Sequence, residues 1–492
     1  MNDKSKSNSG SGIENVFVPL IEEVTASMTK GLETGFTSLS DFVKNGFKFN
    51  EKENTHLRLN SKMLANNRQY DHDNYLGWAV NYERPFHFNK LDPSKHVFLI
   101  GASGWGKTNL INLLMQNALK KKQAIIFIDP KGNKESIADF KKMCRLFGRN
   151  YAIFSEYDPE AISFNPIADM TNTQRVSTIM RSFDWGESPN QYFINQSAKA
   201  LSDALETLSK DGIEFDLADV YKELKSKHNT PETSGLLTQL QLILNSDFGK
   251  CFKKGLVEGK PSMTMKHAYE NKTCIYIGCS TQGYSAIART VGKIFVSEAM
   301  NLSYWIGKTK NSNEAMENGI GLFIDEAGSV LYPDFIDLVN KCRSSGINIY
   351  TAIQSYSDIE MIGGGETLMK QLFESYSTWL LQRQTNPENA EKLAQAFGTY
   401  LSEKTTTATD KGSDSGRGSI REAFEYYCHP DLLKSIDVGK TILLSHSPKE
   451  HAIINVRNFK TSSFWNQNIE ERKNEPIGEV NKNQKKGFSK SR

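Results

Sequence analysis

Short, uninterrupted apolar runs alternate with helix-like segments along the central part of the chain. Residues 97–100, 124–128 and 151–154 are apolar throughout, and each run is followed by a glycine or by polar residues. Between the first two runs, residues 109–115 carry apolar side chains at helical spacing. Because buried parallel strands form continuous apolar runs and are connected through helices, this order predicts an α/β fold with a mainly parallel, doubly wound sheet. Ligands of such sheets bind at the carboxyl ends of the strands.

The strand pattern stops after about residue 172, and helical periodicity replaces it. The helical segments are 195–208, 217–224 and 236–244. A buried strand returns at 273–278, and a helix is predicted from about 286 to 305. We therefore predict an all-α insertion over 173–257 inside a core domain formed by 76–172 and 258–460.

Both ends of the chain have a different character from the core. Residues 1–12 are polar, which predicts a disordered tail, and residues 461–492 predict a basic, flexible tail. In the segment 13–48, apolar residues recur at steps of three or four, which predicts a long amphipathic helix. Such a helix packs either on its own domain or another subunit, or it docks on a membrane surface or a partner. A shortage of Lys and Arg on its polar face weakens the membrane alternative.

Composition narrows the protein class. The 492 residues carry a net charge of +3, and the six cysteines form no C-x-x-C pair, as is typical of a reduced, cytosolic protein without structural zinc. No signal peptide is present, and no apolar run approaches the ~18 residues of a transmembrane helix.

Because the net charge of the whole chain is only +3, a surface that binds nucleic acid would have to be a local one. Basic clusters at 120–122, 131–134, 141–142 and 482–492 are candidates, with a solvated surface as the alternative. The Thr-, Gly- and Ser-rich stretch 405–419 predicts a flexible loop.

The segment 101–108, Gly-Ala-Ser-Gly-Trp-Gly-Lys-Thr, fits the P-loop pattern between a buried strand and a helix. Its glycines allow the backbone N–H groups and the helix N-terminus to face polyphosphate oxygens. Lys107 would reach the β- and γ-phosphates, and the Thr108 hydroxyl would be a Mg²⁺ ligand. The alternative, a glycine turn that binds nothing, does not explain the strand–loop–helix context. The predicted nucleotide-binding residues are Gly101, Ala102, Ser103, Gly104, Trp105, Gly106, Lys107, Thr108 and Asn109.

A second nucleotide motif follows the apolar run 320–324. Asp325 would hold the Mg²⁺ shell through water, and Glu326 would orient and polarise the attacking water. Alone this pattern is weak, and two surface acids at a strand end are the alternative. Its position downstream of a P-loop favours the catalytic interpretation.

A third motif occupies residues 341–355. A helix carries Arg343 to a glycine turn, and a buried strand then ends in Gln354. Either residue could be structural: Arg343 as an exposed helix-end side chain, and Gln354 as a hydrogen-bonding group at the end of a strand.

The order of these motifs resembles the type IV coupling proteins of bacterial conjugation, the TraG/TraD-like family, which are relatives of FtsK/HerA DNA translocases. The resemblance covers about residues 84–458 and includes Asp129-Pro-Lys-Gly132, Phe164-Asn-Pro166 and the closing segment 432–444, expected as a short helix, a glycine turn and a last strand. It implies a RecA-like nucleotide-binding domain over 76–172 and 258–460, with the helical insertion facing relaxase and DNA.

The resemblance also implies a mechanism. ATP, Mg²⁺ and a ring of six subunits would drive single-stranded DNA toward a type IV secretion channel, with relaxase and relaxosome proteins as partners. Arg343 would be the arginine finger, Gln354 the strand-end sensor, and Lys107 and Glu326 the remaining catalytic groups. Members usually begin with a transmembrane pair, whose place is taken here by residues 13–47. We therefore expect a cytoplasmic protein, held at the inner face of the membrane through a partner and monomeric when isolated.

Two alternatives to the conjugative motor stay open. One is a housekeeping DNA translocase of the HerA/FtsK kind. The other is a substrate-recruiting adaptor, in which bound nucleotide only organises a platform. The presence of Lys107, Thr108, Asp325, Glu326 and Arg343 favours a motor, because a pure adaptor has no use for the last two.

Overall fold

The described part of the chain contains a large sheet covered by helices on both faces. The computed structural model describes residues 75–88, 96–156, 158–186, 190–253, 263–281, 285–362, 365–410, 413–447, 449–462 and 464–466, with backbone alone over 404–420. The predictions for 1–12 and 13–48 lie outside these residues.

Eleven strands form the main sheet, in the order β2-β1-β13-β12-β9-β3-β8-β7-β4-β6-β5. The strands are β1 Tyr75–Ala79, β2 Arg84–His87, β3 Val97–Ile100, β4 Ala124–Asp129, β5 Tyr151–Phe154, β6 Cys274–Gly278, β7 Ile320–Ile324, β8 Ile347–Ile353, β9 Thr378–Leu381, β12 Lys440–His446 and β13 Lys449–Val456. A separate pair consists of β10 Thr399–Asp410 and β11 Ser413–Tyr426. From β9 to β5 all neighbours are parallel, whereas β12, β13, β1 and β2 add an antiparallel edge. The predicted α/β fold with a mainly parallel sheet is confirmed.

The helices connect these strands and cover the sheet. They are α1 Lys107–Lys120, α2 Lys134–Leu146, α3 Asn172–Ser182, α4 Gln191–Ser209, α5 Leu217–Lys227, α6 Ser234–Asn245, α7 Met265–Asn271, α8 Ser285–Thr309, α9 Ser312–Glu317, α10 Phe335–Lys341, α11 Ser357–Glu360, α12 Gly365–Ser375, α13 Pro387–Phe397 and α14 Pro430–Ser435. Short 3-10 turns occupy Val80–Tyr82, Pro231–Thr233, Asp247–Lys250, Ala327–Ser329, Cys342–Ser345 and Phe459–Thr461.

Alternation along the strands divides the core between the two faces of the sheet. Leu99 and Phe127 lie in a buried cluster with Leu114 of α1, whereas Ile100 and Ile126 lie in a second cluster with α8 and most other helices. Since successive strand residues point to opposite faces, continuous apolar strands are buried on both sides. The parallel pairing aligns the carboxyl ends of the strands, with Ile100 opposite Ile353 and Ile128 opposite Ile324.

The segment between β5 and β6 is helical in its described residues. Helices α3 to α7 lie there, and Leu201 and Leu240 are buried in the same cluster as the sheet residue Ile126. Thr171 and Asp216 begin α3 and α5 with reciprocal capping boxes, which satisfy N-terminal N–H groups locally. The insertion boundaries 173–257 stay a prediction, but the helices share their core with the sheet.

The stretch 405–419 departs from its prediction. Instead of a flexible loop, the chain forms the long hairpin β10–β11, with Leu401 directly opposite Phe424. Thr405–Thr407 and Thr409 are β-branched residues, which favour extended structure, and this local preference outweighs the low complexity of the stretch.

The end of the described chain also differs from expectation. The closing segment does form α14 and β12 as expected, but β12 is not the last strand, because β13 returns antiparallel to it. Trp465 is buried against Phe459, so the tail predicted over 461–492 is packed at its first residues, and 467–492 lie outside the described residues. Among the described helices none is long and apolar enough to cross a membrane.

Candidate active site

The P-loop follows β3 and is tied to the ends of the strands on either side of it. Gly101 N donates to Ile353 O at 3.2 Å and Ala102 N donates to Arg383 O at 3.0 Å. Gly104 and Gly106 have φ angles of 84° and 98°, a region that disfavours side chains with a Cβ. The glycine spacing of the motif is therefore required by the turn itself, and its ends are held by the sheet.

Lys107 begins α1 and bends back across the loop. Its side chain is almost fully buried, and Nζ donates to Gly101 O at 2.5 Å. Burial lowers the pKa of Lys107, while the negative charge of Asp325 opposes this shift. The ammonium group thus lies inside the loop, at the positive end of a helix, where it faces the place that a phosphate chain would take.

The residues after β9 form an unpredicted wall of the P-loop. Gln382 is buried, and a Cβ added to Gly101 would lie 2.6 Å from the Gln382 Cβ, so this position requires glycine. The Arg383 guanidinium lies 4.8 Å from the ring centroid of Trp105, whose Nε1 donates to Ile436 O at 3.1 Å. The sequence signal for Gln382 and Arg383 is the one used for β7 and β8: polar residues directly after a short apolar run. Applied to β9, it would have identified both residues.

The Asn109 side chain is bonded to the backbone that follows β13. Its Nδ2 donates to Arg457 O at 2.8 Å, and its Oδ1 accepts from Phe459 N at 3.0 Å. These bonds commit both polar groups of the side chain to the backbone that follows β13. The Asn109 side chain therefore ties α1 to that segment, and a nucleotide contact of Asn109 stays a prediction.

Two buried carboxylates end the neighbouring strands β4 and β7. Asp129 accepts from the Tyr276 hydroxyl at 2.6 Å and from Lys131 N at 2.9 Å, and Asp325 accepts from Glu326 N at 2.9 Å. Burial raises the pKa of both carboxyls, and the neighbouring charge of Asp129 helps to raise the pKa of Asp325 to about 6. Negative charge is therefore concentrated beside the P-loop, and a cation there would relieve it.

Glu326 occupies a left-handed backbone conformation, with φ 41° and ψ 43°, which is rare for a residue with a Cβ. Its Oε1 accepts from Gln354 Nε2 at 2.9 Å and pairs with Lys131 Nζ at 2.9 Å. The structure thus brings Glu326 and Gln354 together at the carboxyl ends of β7 and β8. Lys131, which the sequence placed in a basic cluster and in the segment Asp129-Pro-Lys-Gly132, belongs to the same site.

Asp358 holds the turn that carries Gln354. Its Oδ2 accepts from Gln354 N at 2.8 Å and from Ser355 N at 3.1 Å, and its Oδ1 accepts from Ser355 Oγ at 2.8 Å. The Gln384 amide also donates to Gln354 O at 3.1 Å. These bonds fix the end of β8, so the Gln354 side chain extends toward Glu326 from a rigid support.

Arg343 lies at the amino ends of the parallel strands, opposite the carboxyl ends that carry the P-loop and Glu326. It is exposed on the 3-10 turn Cys342–Ser345, just before β8 begins at Ile347, whereas Gln354 follows the end of that strand. At about 3.3 Å per residue, β8 separates Arg343 from Gln354 by roughly 20 Å. The structure therefore does not bring Arg343 to the P-loop of its own chain.

A buried histidine anchors the turn that carries Arg343. His96 Nδ1 accepts from Ile349 N at 3.1 Å, and Nε2 lies 2.9 Å from Val339 O. Burial lowers the pKa of His96 to about 4, with a contribution from the charge of Arg343, so the ring is neutral at neutral pH. A neutral ring with a protonated Nε2 satisfies both contacts. This link holds the base of the turn, while the Arg343 side chain stays exposed.

Not every predicted basic cluster presents free cations. Lys141 contacts Asp158 at 2.9 Å and Glu160 at 3.1 Å, and Lys131 is paired with Glu326. Lys134 is exposed at the start of α2. Because Lys131 and Lys141 are paired with carboxylates of their own chain, neither presents a free cation for a DNA surface.

The residues present fit a Mg²⁺–nucleotide complex. Thr108 is exposed in the first turn of α1, and Asp325 lies at the end of β7. Thr108 offers a hydroxyl and Asp325 a carboxylate, and both are the hard oxygen ligands that Mg²⁺ prefers. Among the described residues, no group of three or more His, Cys, Asp or Glu side chains could hold a metal by itself. Mg²⁺ would thus depend on phosphate and water ligands in addition to these two residues.

This fold, with its P-loop after β3, is that of the RecA-like P-loop NTPases. Solved structures share the fold at low sequence identity. The conjugative coupling protein TrwBdeltaN70 aligns with a TM-score of 0.58 and 15% identity over 78% of this chain and 89% of its own. TrwB in complex with ADP and Mg²⁺ gives 0.57 and 14%, over 83% and 93%. VirB4 of Thermoanaerobacter pseudethanolicus gives 0.53 and 14%, over 80% and 98%.

Two sequence families identify the chain more closely. Residues 87–231 match the type IV secretion-system coupling protein DNA-binding domain, and residues 320–433 match the TraM recognition site of TraD and TraG. Together these segments span a little over half of the chain and contain the P-loop, Glu326 and Gln354. The chain belongs to the family of type IV secretion-system coupling proteins. Among curated protein sequences, none is significantly similar to it.

The buried charge of Asp325 predicts a pH-dependent stability effect. Because its folded-state pKa of about 6 lies above the ordinary value of 3.8, ionisation of Asp325 destabilises the nucleotide-free fold. The penalty disappears as the pH falls through 6 toward 4. We expect Asp325→Asn to raise the melting temperature at pH 7.5 by several degrees, with a smaller gain at pH 5.

Thermal unfolding of the nucleotide-free protein measures this difference. Asp203→Asn, at an exposed position on α4, is the matched control and should change the melting temperature little at either pH. A pH-independent gain, or a loss of stability at pH 7.5, would contradict the assignment of buried charge to Asp325.

Proposed function

We propose that this chain is an ATP-dependent DNA translocase that acts as a coupling protein in bacterial conjugation. Within that role it would link a relaxase–DNA complex to a type IV secretion channel. The observation that carries the proposal is the convergence of Lys107, Glu326 and Gln354 at one edge of the sheet in a member of the coupling-protein family. A binding platform needs the lysine, but only hydrolysis needs a carboxylate that acts on water.

Binding and hydrolysis would be divided among the residues of the site. The glycine turn and the N-terminus of α1 would hold the phosphates, and Lys107 would leave Gly101 O to neutralise their charge. Mg²⁺, held by Thr108 and through water by Asp325, would supply charge neutralisation to the transferring phosphoryl group. Glu326, aligned by Gln354, would orient the attacking water and accept its proton.

The DNA and protein partners of this chain are inferred from its family matches. Residues 87–231 of this chain match the coupling-protein DNA-binding domain and residues 320–433 match the TraM recognition site, which supports DNA and a relaxosome protein as partners. Arg343 at the far edge of the sheet supports assembly into a ring, because an exposed finger there can act only on the nucleotide of another subunit. We propose a hexamer at the inner face of the membrane, reached through a partner.

The adaptor and the housekeeping translocase stand as competing proposals. An adaptor would bind nucleotide without hydrolysing it. The hydrogen bond from Gln354 to Glu326 disfavours the adaptor, because only hydrolysis needs an oriented carboxylate at this position. A housekeeping translocase would hydrolyse ATP in the same way and would differ in its partners, which the family match to conjugative proteins disfavours.

Substitution of Lys107 and Glu326 should separate binding from turnover. Lys107→Ala removes a charge-assisted contact and should weaken ATP binding by about tenfold to a hundredfold. Glu326→Gln keeps the side-chain shape and should retain ATP binding while hydrolysis falls by about a hundredfold or more. Binding of a fluorescent ATP analogue and steady-state phosphate release measure the two effects.

Exposed residues of the same types serve as controls for these substitutions. Lys134→Ala at the start of α2 and Glu317→Gln at the end of α9 should leave both quantities unchanged. If Glu326→Gln hydrolysed ATP at the wild-type rate, the catalytic assignment of β7 would be wrong.

Single-stranded DNA should accelerate ATP hydrolysis. A channel that follows the phosphate backbone binds with little sequence preference and with a steep salt dependence. We expect stimulation by unrelated oligonucleotides of equal length to be similar and to decline between low and physiological salt. A hydrolysis rate indifferent to DNA at every salt and protein concentration would favour the adaptor.

Mixing two inactive variants tests the action of Arg343 across subunits. Arg343→Ala should lower the hydrolysis rate in assembled protein by about 10³-fold, since it removes charge stabilisation from the neighbouring site. In a mixture with Lys107→Ala, some interfaces pair an intact P-loop with an intact finger and should recover measurable hydrolysis. Mixed rings that form, as shown by native mass spectrometry, and yet stay as inactive as either variant would exclude a finger acting in trans.

A further inference from the structure

A single oxygen of the catalytic carboxylate candidate is shared by two donors. Glu326 Oε1 lies 2.9 Å from Lys131 Nζ and 2.9 Å from Gln354 Nε2. The two donors differ in kind, since Lys131 brings a full charge and Gln354 a neutral amide. A carboxylate that has to hold an attacking water needs a free acceptor position, and the lysine occupies one.

The backbone that carries Lys131 is fixed. Lys131 N donates to Asp129 Oδ1 at 2.9 Å, and Thr281 N donates to Pro130 O at 2.9 Å. Gly132 follows with φ 53°, and a Cβ added there would lie 3.2 Å from Cys279 N. The turn therefore cannot move easily, whereas the Lys131 side chain is one-third exposed and its ammonium group can change partners.

Lys131 and Lys107 flank the same space. The positive charge of Lys131 contributes to the lowered pKa of Lys107, and the charges of Asp325 and Glu326 act on both lysines. Lys107 begins the helix that follows the P-loop, so the space between the two ammonium groups adjoins the phosphate cradle. A multiply charged anion that enters this space competes with Glu326 for Lys131.

We propose that Lys131 is a positioning residue that senses the γ-phosphate: it holds Glu326 in the absence of this group and exchanges the carboxylate for the γ-phosphate when ATP binds. The exchange frees one acceptor position of Oε1 for the attacking water, while Gln354 stays bonded to the same oxygen and keeps the carboxylate oriented. ADP lacks the group that draws Lys131 away, so the ion pair persists with ADP. This inference rests on the proposed ATPase function. It adds a reason why Glu326 can act on water when ATP is bound and not when ADP is bound.

A double-mutant cycle measured with two nucleotides tests the exchange. The probes are ADP and a non-hydrolysable ATP analogue, each with Mg²⁺, and the variants are Lys131→Met, Glu326→Gln and their combination. Glu326→Gln releases Lys131 and should tighten binding of the ATP analogue by about fivefold or more, with ADP affinity within about twofold of wild type. Lys131→Met should weaken analogue binding by about tenfold, and in the double variant the tightening should disappear.

Two further variants separate this role from a structural one. Lys131→Arg retains the charge and should restore much of the preference for the analogue over ADP, whereas Lys134→Met, which removes a nearby exposed lysine, should change neither affinity. Melting temperatures of all variants without nucleotide show whether the fold is intact.

The outcomes distinguish the two levels of the proposal. If the interaction between Lys131 and Glu326 is equal with ADP and with the analogue, or absent with both, Lys131 is no γ-phosphate sensor, although wild-type binding and hydrolysis would still support the ATPase. If wild-type protein binds neither nucleotide, the proposed function itself fails and this inference fails with it.

Discussion

Asp129 and Asp325 end adjacent parallel strands, and each carboxyl is almost fully buried. Burial makes their negative charge costly, as their raised pKa values indicate, and the chain balances it with Lys107 and Lys131 at the same edge. This compensation exists only because the parallel register aligns the strand ends. The doubly buried sheet therefore determines where the charges meet, and the charges determine what the edge can bind.

The sequence predicted the parts of this arrangement whose signals are local. The P-loop pattern requires fixed residue types within one short segment, and Asp325 and Glu326 follow directly after an apolar run. Both motifs lie where they were predicted, on β3 and β7 of a mainly parallel sheet. Gln354 was assigned from family resemblance, and the structure joins it to Glu326.

Other parts depend on contacts between distant segments, which periodicity does not reveal. The short strand β9 delivers Gln382 and Arg383 to the P-loop, but its sequence does not show that it pairs with β3. Lys131 was read as one member of a basic cluster, because its partner Glu326 lies far along the chain. Composition was misleading for β10 and β11, where a polar, glycine-containing stretch forms a paired hairpin.

A structure determined with Mg²⁺ and a non-hydrolysable ATP analogue is the most direct test of nucleotide binding at this edge of the sheet. We expect phosphates in the turn 101–108, with Lys107 Nζ moved from Gly101 O onto a phosphate oxygen. We also expect Mg²⁺ to be held by the Thr108 hydroxyl and, through water, by Asp325. A nucleotide bound elsewhere, or a P-loop in which Lys107 still contacts Gly101 at saturating nucleotide, would contradict the assignment of this site.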